Sequence, residues 1–308
     1  MIKIAYLILC HVDSEHIARL ANKISTDNAH VYIHVDLESD INDFKNKLPE
    51  SNNIRFIDER VKAYWGGFSA VQATINLMKS ASKSYNYDRY ILLQGLDYPI
   101  KSNEVIMKYF IENKDKEFIR GCNITKSNNI KLYGKCKMWW FFDKKNFWRK
   151  CLNKLNIILS IQTRIGYVNL GEVNFEIYWG AAQWALTGDC VKYVIDFYDK
   201  NEKVNKYFKH VFPADETYFH SVVFNSRFSS KTTFGGPEEE NNELVNWRNL
   251  HYFEYPKLIK IFDENDYDFL LQQKCLFIRK TTTEKSSKLM DMIDFNNSKQ
   301  DLKINKNF

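Results

Sequence analysis

Two adjacent carboxylates, Asp215 and Glu216, have the setting in this chain that best suits proton transfer. They lie within residues 212–226 and follow Pro213. Proline and acidic residues are frequent in the first turn of a helix, where the helix dipole favours a negative charge. Such a position would keep a carboxylate ionised near neutral pH, as a general base requires. The alternative interpretation, that both acids only cap a helix, fits these residues equally well.

Apolar runs alternate with helical patterns over the first 120 residues, and this alternation predicts the fold. Runs suited to strands occur at 2–10, 30–36, 54–57 and 90–93. Continuous apolar runs of this length are typical of strands that are covered on both faces of a parallel sheet. We therefore expect an α/β fold in one domain, with a mostly parallel central sheet flanked by helices. Asp13 and Thr187 are placed to cap two of the helices.

Polar side chains follow three of the predicted strands. In parallel sheets, ligands bind beyond the carboxyl ends of the strands. His11, Asp36 and Asp97 all lie at such ends. Polar residues commonly follow strands, so each alone is weak evidence. Three on one edge favour a binding site there.

The segment from about 126 to 169 interrupts this alternation and reads as an insert within a domain of residues 1–283. It interleaves basic and aromatic residues, which are Lys131, Lys135, Lys137, Lys144, Lys145, Arg149, Lys150 and Lys154 with Trp139, Trp140, Phe141, Phe142, Phe147 and Trp148. Residues 284–308, which follow this domain, form a polar tail. We expect the tail to be partly helical or disordered, with a short helix at 289–293.

Three interpretations of the insert remain open. Its cations and aromatic rings would suit an anionic membrane surface, or a lobe that stacks on the sugar rings of an acceptor. It could equally be a solvated basic helix that packs its aromatic side chains inward. No nucleic-acid partner is expected, because no recognition motif accompanies the insert and the net charge is only +6.

The composition excludes several classes of protein. A hydrophobic content of 44% supports a large core, and no run approaches the ~18 apolar residues of a membrane span. The six cysteines show no CxxC spacing, which favours reduced thiols. We expect a cytoplasmic protein, with peripheral contact with the inner face of the membrane as a further hypothesis.

Motifs for the common cofactors are missing from the sequence. There is no GxGxxG, no GxxxxGK[ST] and no HExxH, and the only DxD, at 266–268, falls in a predicted helix. Two carboxylates spaced i, i+2 on a helix diverge, so they are poorly placed to hold one metal ion. If a nucleoside diphosphate leaves during the reaction, lysine and arginine must meet its charge. Arg248, Arg279 and Lys280 are the candidates.

Six blocks in order carry a resemblance that spans residues 6 to 280. The chain resembles the core-2/I-branching β-1,6-N-acetylglucosaminyltransferase family, which also includes the peptide O-xylosyltransferases. The blocks are 6–11 with 34–36, WGGFSAVQA at 65–73, LLQGLDYPIK at 92–101, GAAQWALTGDCV at 180–191, PADE at 213–216 and LFIRK at 276–280.

The resemblance implies a GT-A-like fold and an inverting transfer that needs no metal ion. It implies that Glu216 is the catalytic base and that Lys280 contacts the donor diphosphate. His11 and Asp36 would border the nucleotide. The family's second phosphate-binding arginine has no counterpart at the matching position here, and Arg248 is the nearest substitute. The sugar pocket would be lined by Asp97, Tyr98, Trp184 and Asp215.

The expected function is therefore the transfer of a sugar from a UDP-sugar to a hydroxyl group of a glycan or lipid-linked glycan. GlcNAc is the expected sugar, with xylose and glucose as alternatives, and the pathway would build surface polysaccharide or glycolipid. No cofactor or metal is expected. The composition, rich in asparagine and lysine, suggests a bacterial member. The competing hypothesis is a carbohydrate- or membrane-binding protein that keeps the fold but has no turnover.

Overall fold

The computed structural model describes residues 2–141, 147–159 and 164–304. The strands are β1 (Ile4–Cys10), β2 (Ala29–Val35), β3 (Ile54–Phe56), β4 (Arg89–Gln94), β5 (Asp97–Pro99), β6 (Cys122–Asn123), β7 (Tyr167–Asn169), β8 (Asn174–Glu176), β9 (Tyr178–Trp179), β10 (Ala185–Thr187), β11 (His251–Tyr252) and β12 (Phe277–Arg279). The α-helices are α1 (Ser14–Ile24), α2 (Ile41–Lys47), α3 (Phe68–Ser84), α4 (Asn103–Glu112), α5 (Ile130–Lys137), α6 (Phe147–Leu159), α7 (Gly188–Lys200), α8 (Glu202–Phe208), α9 (Tyr218–Phe224), α10 (Tyr267–Leu271) and α11 (Thr283–Ile304).

Five strands form the central sheet, in the order β10-β4-β1-β2-β3. Strands β4, β1, β2 and β3 are parallel, and β10 runs antiparallel to β4 at one edge. Every residue of β1 except Leu9 is buried, as a strand with helices on both faces requires. The predicted α/β fold, with a mostly parallel central sheet flanked by helices, is confirmed.

Helices cover both faces of this sheet. Val71 and Ile75 of α3 pack on one face, in the same apolar cluster as Leu7 of β1. Ile17 and Leu20 of α1 pack on the other face. Because the side chains of a strand alternate between faces, each central strand contributes to both clusters.

Both predicted helix caps are present. The Asp13 carboxylate accepts a hydrogen bond from the His16 amide at the start of α1, at 3.1 Å. The Thr187 hydroxyl accepts one from the Cys190 amide at the start of α7, at 3.2 Å. Each cap satisfies an amide that the first turn of a helix leaves unpaired.

A second, smaller sheet has the order β11-β12-β5 and extends from the carboxyl end of β4. Strand β5 follows β4 almost at once, and β12 pairs with it antiparallel so that Arg279 lies opposite Asp97. The pairing therefore brings residues from near the end of the chain to the ligand-binding edge of the central sheet.

The chain after residue 283 is helical up to residue 304, so the short helix expected at 289–293 is part of the longer α11. Leu289, Met290 and Ile293 are buried against the core. An ion pair of 2.6 Å between Arg19 and Asp294 further ties α11 to α1.

The basic and aromatic insert contains α5 and α6, and its side chains divide into two groups. Trp140 packs inward, stacked on Phe212 with ring centroids 4.1 Å apart. Phe147 and Trp148 of α6 are exposed to solvent. Phe142, Lys144 and Lys145, which the sequence assigns to the insert, lie outside the described residues. In the part of the chain that the structure describes, no helix is long and apolar enough to cross a membrane.

Candidate active site

A cleft of about 1450 Å³ opens at the carboxyl ends of β1, β2 and β4. It lies at the sheet edge where the sequence predicts a ligand site, as is usual for parallel sheets. The predicted site residues in its wall are His11, Asp36, Asp215, Glu216, Arg279 and Lys280.

The two carboxylates occupy a turn and not the first turn of a helix. Helix α9 begins at Tyr218, and residues 212–217 form a tight turn before it. The Ala214 amide donates to the Gly66 carbonyl at 2.7 Å, and the Thr217 hydroxyl donates to the Pro213 carbonyl at 2.8 Å. The alternative interpretation, that Asp215 and Glu216 cap the helix, is therefore wrong, because Thr217 precedes α9 and no side chain caps it.

The electrostatic expectation for this pair is also wrong. Burial raises the pKa of both carboxyl groups, and repulsion by Asp215 raises that of Glu216 further. The Lys135 ammonium and a hydrogen bond from Trp179 act in the opposite direction on Glu216. The pKa of Glu216 is thus set by burial and by side chains around the cleft. The unpaired amides of the first turn of α9 do not set it, because Glu216 lies in the turn before that helix.

Glu216 is held by two contacts from β9 and the residue that follows it. The Trp179 indole N–H donates to the carboxylate Oε2 at 2.8 Å. The Gly180 amide donates to the Glu216 carbonyl at 3.1 Å. The Lys135 ammonium lies 4.5 Å from the centroid of the Trp179 ring.

Trp179 and Lys135 are site residues that the sequence does not identify as such. Trp179 immediately precedes the 180–191 block, which is the one signal that could have singled it out. Lys135 is one of many lysines in the insert, and only the docking of α5 shows that it reaches the cleft.

Arg279 and Lys280 supply positive charge to the cleft wall at the end of β12. Burial and the neighbouring Arg279 guanidinium lower the pKa of Lys280. Two cations that are already crowded gain from an anion placed between them, so this wall suits a phosphate or diphosphate group.

Asp97 does not line the cleft, contrary to the prediction from sequence. Its side chain is fully buried behind Arg279, whose Nη1 donates to Oδ1 at 2.8 Å. His251 Nε2 lies 3.2 Å from Oδ2, and the Gln94 amide donates to the same oxygen at 2.7 Å. Burial raises the pKa of Asp97, but Arg279 and His251 outweigh it and lower the pKa below its usual value. Asp97 therefore holds the guanidinium of Arg279, which is a residue of the cleft wall.

Tyr98 and Trp184 are also outside the cleft, although the sequence assigns both to the sugar pocket. Trp184 is fully buried and packs on Phe219, with ring centroids 5.4 Å apart. The Tyr98 hydroxyl donates to Asp294 at 2.8 Å. Both rings pack in the hydrophobic core, where large aromatic side chains bury the most apolar surface.

Arg248 is not in the cleft wall either. Its guanidinium lies 4.4 Å from the Tyr252 ring centroid, and its Nε donates to the Phe253 carbonyl at 2.6 Å. Arg279, which is held by Asp97, is the arginine that the structure places beside Lys280.

His11 and Asp36, which the resemblance places beside the nucleotide, have different settings in the cleft wall. His11 is exposed at the rim of the cleft. The Asp36 carboxylate accepts from the Glu38 amide at 2.9 Å and from the Ala63 amide at 2.7 Å. Asp36 therefore shapes two loops of the wall, in addition to facing the cleft.

No group of three His, Cys, Asp or Glu side chains suited to a metal ion occurs among the described residues. The DxD sequence at 266–268 is used for local structure. Asp266 accepts from the Asp263 amide in a capping box and from the Lys260 ammonium at 2.6 Å. Its carboxylate is thus occupied by the protein itself.

Comparison with known proteins assigns the chain to a family. The family model described as Core-2/I-Branching enzyme matches residues 4–271. Xylosyltransferase 2 of Rattus norvegicus is 24% identical over 313 residues, which are 96% of this chain and 34% of that protein. Xylosyltransferase 2 of Homo sapiens is 24% identical over 312 residues, which are 96% of this chain and 33% of that protein. The chain spans about a third of the length of these curated relatives.

Two of the solved structures that match this chain show only weak likeness to it, each with a TM-score of 0.31. The 4-diphosphocytidyl-2C-methyl-D-erythritol synthase of Anaerococcus prevotii has a TM-score of 0.31 and 12% identity, covering 65% of this chain and 75% of that one. A TM-score of 0.31 is too low to establish that the two chains share a fold. The match of the family model over most of the chain, and not the likeness to solved structures, defines the class of protein. The chain belongs to the core-2/I-branching enzyme family, as the six sequence blocks predict.

The ion pair behind the cleft leads to a first prediction. We expect Asp97→Asn to lower the free energy of unfolding by about 3 kcal/mol, because it leaves the Arg279 guanidinium without its buried counter-charge. Arg279 is then no longer held in place, so the binding of UDP that the sequence predicts for this cleft should also weaken. Urea unfolding and calorimetric titration with UDP measure the two effects.

Asp199→Asn is the matched control. Its carboxylate pairs with Lys79 at 2.5 Å but is half exposed, so its removal should cost less than about 1 kcal/mol and leave UDP binding unchanged. Equal losses of stability in the two variants would contradict the role given to Asp97.

Proposed function

We propose that this protein is an inverting glycosyltransferase that moves a sugar from a UDP-sugar to a hydroxyl group of a glycan or lipid-linked glycan. The observation that carries the proposal is the placement of the Glu216 carboxylate in one cleft with the cations Arg279 and Lys280. A base for the acceptor and a counter-charge for the leaving group are the two elements that such a transfer needs.

In the proposed reaction, Glu216 accepts the proton of the acceptor hydroxyl. The acceptor oxygen forms a bond to the anomeric carbon as the bond from that carbon to the diphosphate oxygen breaks. UDP leaves with the bonding electrons, and Lys280 and Arg279 stabilise its developing charge. Attack from the face opposite UDP in a single displacement inverts the configuration at the anomeric carbon.

The raised pKa of Glu216 supports this role. A general base works best when its pKa lies near the operating pH, because a weakly basic carboxylate has little drive to take a proton from a hydroxyl. Burial in the cleft raises the pKa of Glu216, while Lys135 and Trp179 oppose this rise.

We propose that no metal ion takes part and that Arg279 and Lys280 meet the charge of the diphosphate instead. The local use of Asp266 in a capping box supports this, since its DxD is the only one in the sequence. Positive side chains can stabilise a departing diphosphate as a divalent cation does.

For the donor we propose UDP-GlcNAc first and UDP-xylose second, with UDP-glucose as a further alternative. GlcNAc is the sugar that the resemblance to the β-1,6-N-acetylglucosaminyltransferases implies, and xylose comes from the names of the curated relatives. The product would serve surface polysaccharide or glycolipid synthesis.

A binding protein without turnover is the competing function. The release of UDP from these donors, even with water as acceptor, separates an enzyme from a binding protein.

The second prediction concerns the base. We expect Glu216→Gln to reduce UDP release by about 10²–10⁴-fold, because the amide cannot accept the acceptor proton, while the affinity for UDP stays unchanged. Steady-state UDP release and calorimetric binding of UDP provide the two measurements. Glu172→Gln, in the exposed turn between β7 and β8, is the control and should keep full activity. Full activity of Glu216→Gln would refute the assignment.

We also propose that α6 contacts an anionic membrane surface. Phe147 is 72% exposed, Trp148 69% and Leu155 51%, and Lys150 and Lys154 are exposed beside them. Residues 147, 151 and 155 are four apart, so they form one stripe along the helix, with the two lysines at its flank. Exposed aromatic residues and flanking lysines are the features of a helix that lies in the interface of an anionic bilayer.

The third prediction tests this surface with phosphatidylcholine vesicles that contain phosphatidylglycerol. The double variant Phe147→Ser/Trp148→Ser and the double variant Lys150→Gln/Lys154→Gln should each bind about tenfold more weakly in a sedimentation assay. Phe295→Ser is the control, because Phe295 is 64% exposed on α11, outside the insert. Equal binding by all four proteins, or no binding by the unmodified protein, would overturn the proposal.

A further inference from the structure

We propose that Lys135 and Trp179 act as positioning residues that orient the Glu216 carboxylate and keep it ready to receive the acceptor proton. This inference rests on the proposed function of Glu216 as the base. It assigns a role in the reaction to the insert, since Lys135 is carried there by α5.

Trp179 is a rigid support for the carboxylate. The residue is only 3% exposed, and its ring meets Trp247 edge to face with centroids 5.8 Å apart. Strand β9 is paired with β6, with Trp179 opposite Cys122. The indole N–H that donates to Oε2 of Glu216 is therefore fixed, and we assign proton uptake to the other carboxylate oxygen, Oε1.

The position of Lys135 is also fixed by packing. Its neighbours Leu132 and Cys136 on α5 are buried, and the Tyr207 hydroxyl donates to the Cys136 carbonyl at 2.9 Å. The ammonium is thereby held over the face of the Trp179 ring, whose edge donates to Glu216. One indole links the cation and the carboxylate.

The charges around Glu216 set the direction of the effect. Asp215 in the same turn repels a second negative charge on Glu216, and Arg279 on β12 favours the ionised form of Asp215. Lys135 on α5 and the N–H of Trp179 on β9 favour the ionised form of Glu216. Without the ammonium, burial and Asp215 are opposed only by the Trp179 hydrogen bond, so Glu216 would become protonated at a higher pH.

The test is the pH profile of kcat/KM for the transfer or, without acceptor, for UDP release. The acidic limb of this profile is the range over which activity falls as the pH is lowered and Glu216 becomes protonated. In Lys135→Met the midpoint of this limb should rise by about one pH unit. At a pH below the midpoint, the activity of Lys135→Met should then be about tenfold lower than that of the unmodified protein, and it should recover at higher pH. Lys135→Arg should keep the limb of the unmodified protein. Trp179→Phe should move it in the same direction as Lys135→Met.

Lys137→Met is the matched control. It removes a lysine from the same helix whose ammonium lies 4.8 Å from the Tyr133 ring centroid and which does not line the cleft. Its acidic limb should stay in place. A uniform loss of activity in Lys135→Met without a moved limb would show that Lys135 only anchors α5, and would overturn the proposal.

A second readout does not depend on turnover. In protein labelled with ¹³C at glutamate carboxyl carbons, the Glu216 signal, assigned by its loss in Glu216→Gln, should titrate at a higher pH in Lys135→Met. An unmoved titration also overturns the proposal. If Glu216→Gln is fully active, the proposed function fails first. If Glu216→Gln is inactive and the limb is unmoved, only the roles of Lys135 and Trp179 fail.

Discussion

A carboxylate that is buried away from water needs hydrogen-bond donors or positive counter-charges, and this constraint determines how the cleft is built. Asp215 and Glu216 are adjacent in a buried turn, where burial disfavours the charge of both and Asp215 also disfavours the charge of Glu216. The indole N–H of Trp179 and the ammonium of Lys135 compensate Glu216 from two different elements. A carboxyl group whose pKa is raised in this way suits the role of general base that we propose for Glu216.

The same constraint explains the second sheet. Asp97 is fully buried, and the pairing of β5 with β12 places the Arg279 guanidinium against it. Because the guanidinium is fixed on one side by Asp97, its charge is available at the cleft wall without rearrangement. Preorganised charge of this kind stabilises a leaving group at little cost at the moment of reaction. The core ion pair thus contributes both to stability and to the site.

Features that depend on neighbouring residues could be predicted from the sequence. The apolar run of β1 indicated a strand covered on both faces, and Asp13 and Thr187 were recognisable as helix caps. Features that depend on distant residues could not. Asp97 meets Arg279 only through the pairing of β5 with β12, and Lys135 meets Trp179 only through the docking of α5. Motif position alone therefore placed Asp97 in the sugar pocket, although it lies behind the wall.

The misassigned aromatic residues have a related cause. Trp184 lies within the 180–191 block, yet the block also has to build the core, and this ring, the one aromatic side chain of the block, is fully buried there. Trp179, one residue before the block, turns toward Glu216 instead. Residue type and order in the chain do not distinguish these two outcomes, because the surroundings of each ring are set by contacts with distant residues, Phe219 for Trp184 and Glu216 for Trp179.

The most direct test of the account is the configuration of the sugar that is first released from a UDP-α-sugar. The protein would be incubated in EDTA with UDP-GlcNAc or UDP-xylose, and proton NMR would record the anomer formed before mutarotation. A single displacement assisted by Glu216, with Arg279 and Lys280 meeting the diphosphate charge, predicts the β-anomer in the presence of EDTA. Initial release of the α-anomer, or an absolute requirement for a divalent metal ion, would contradict the account.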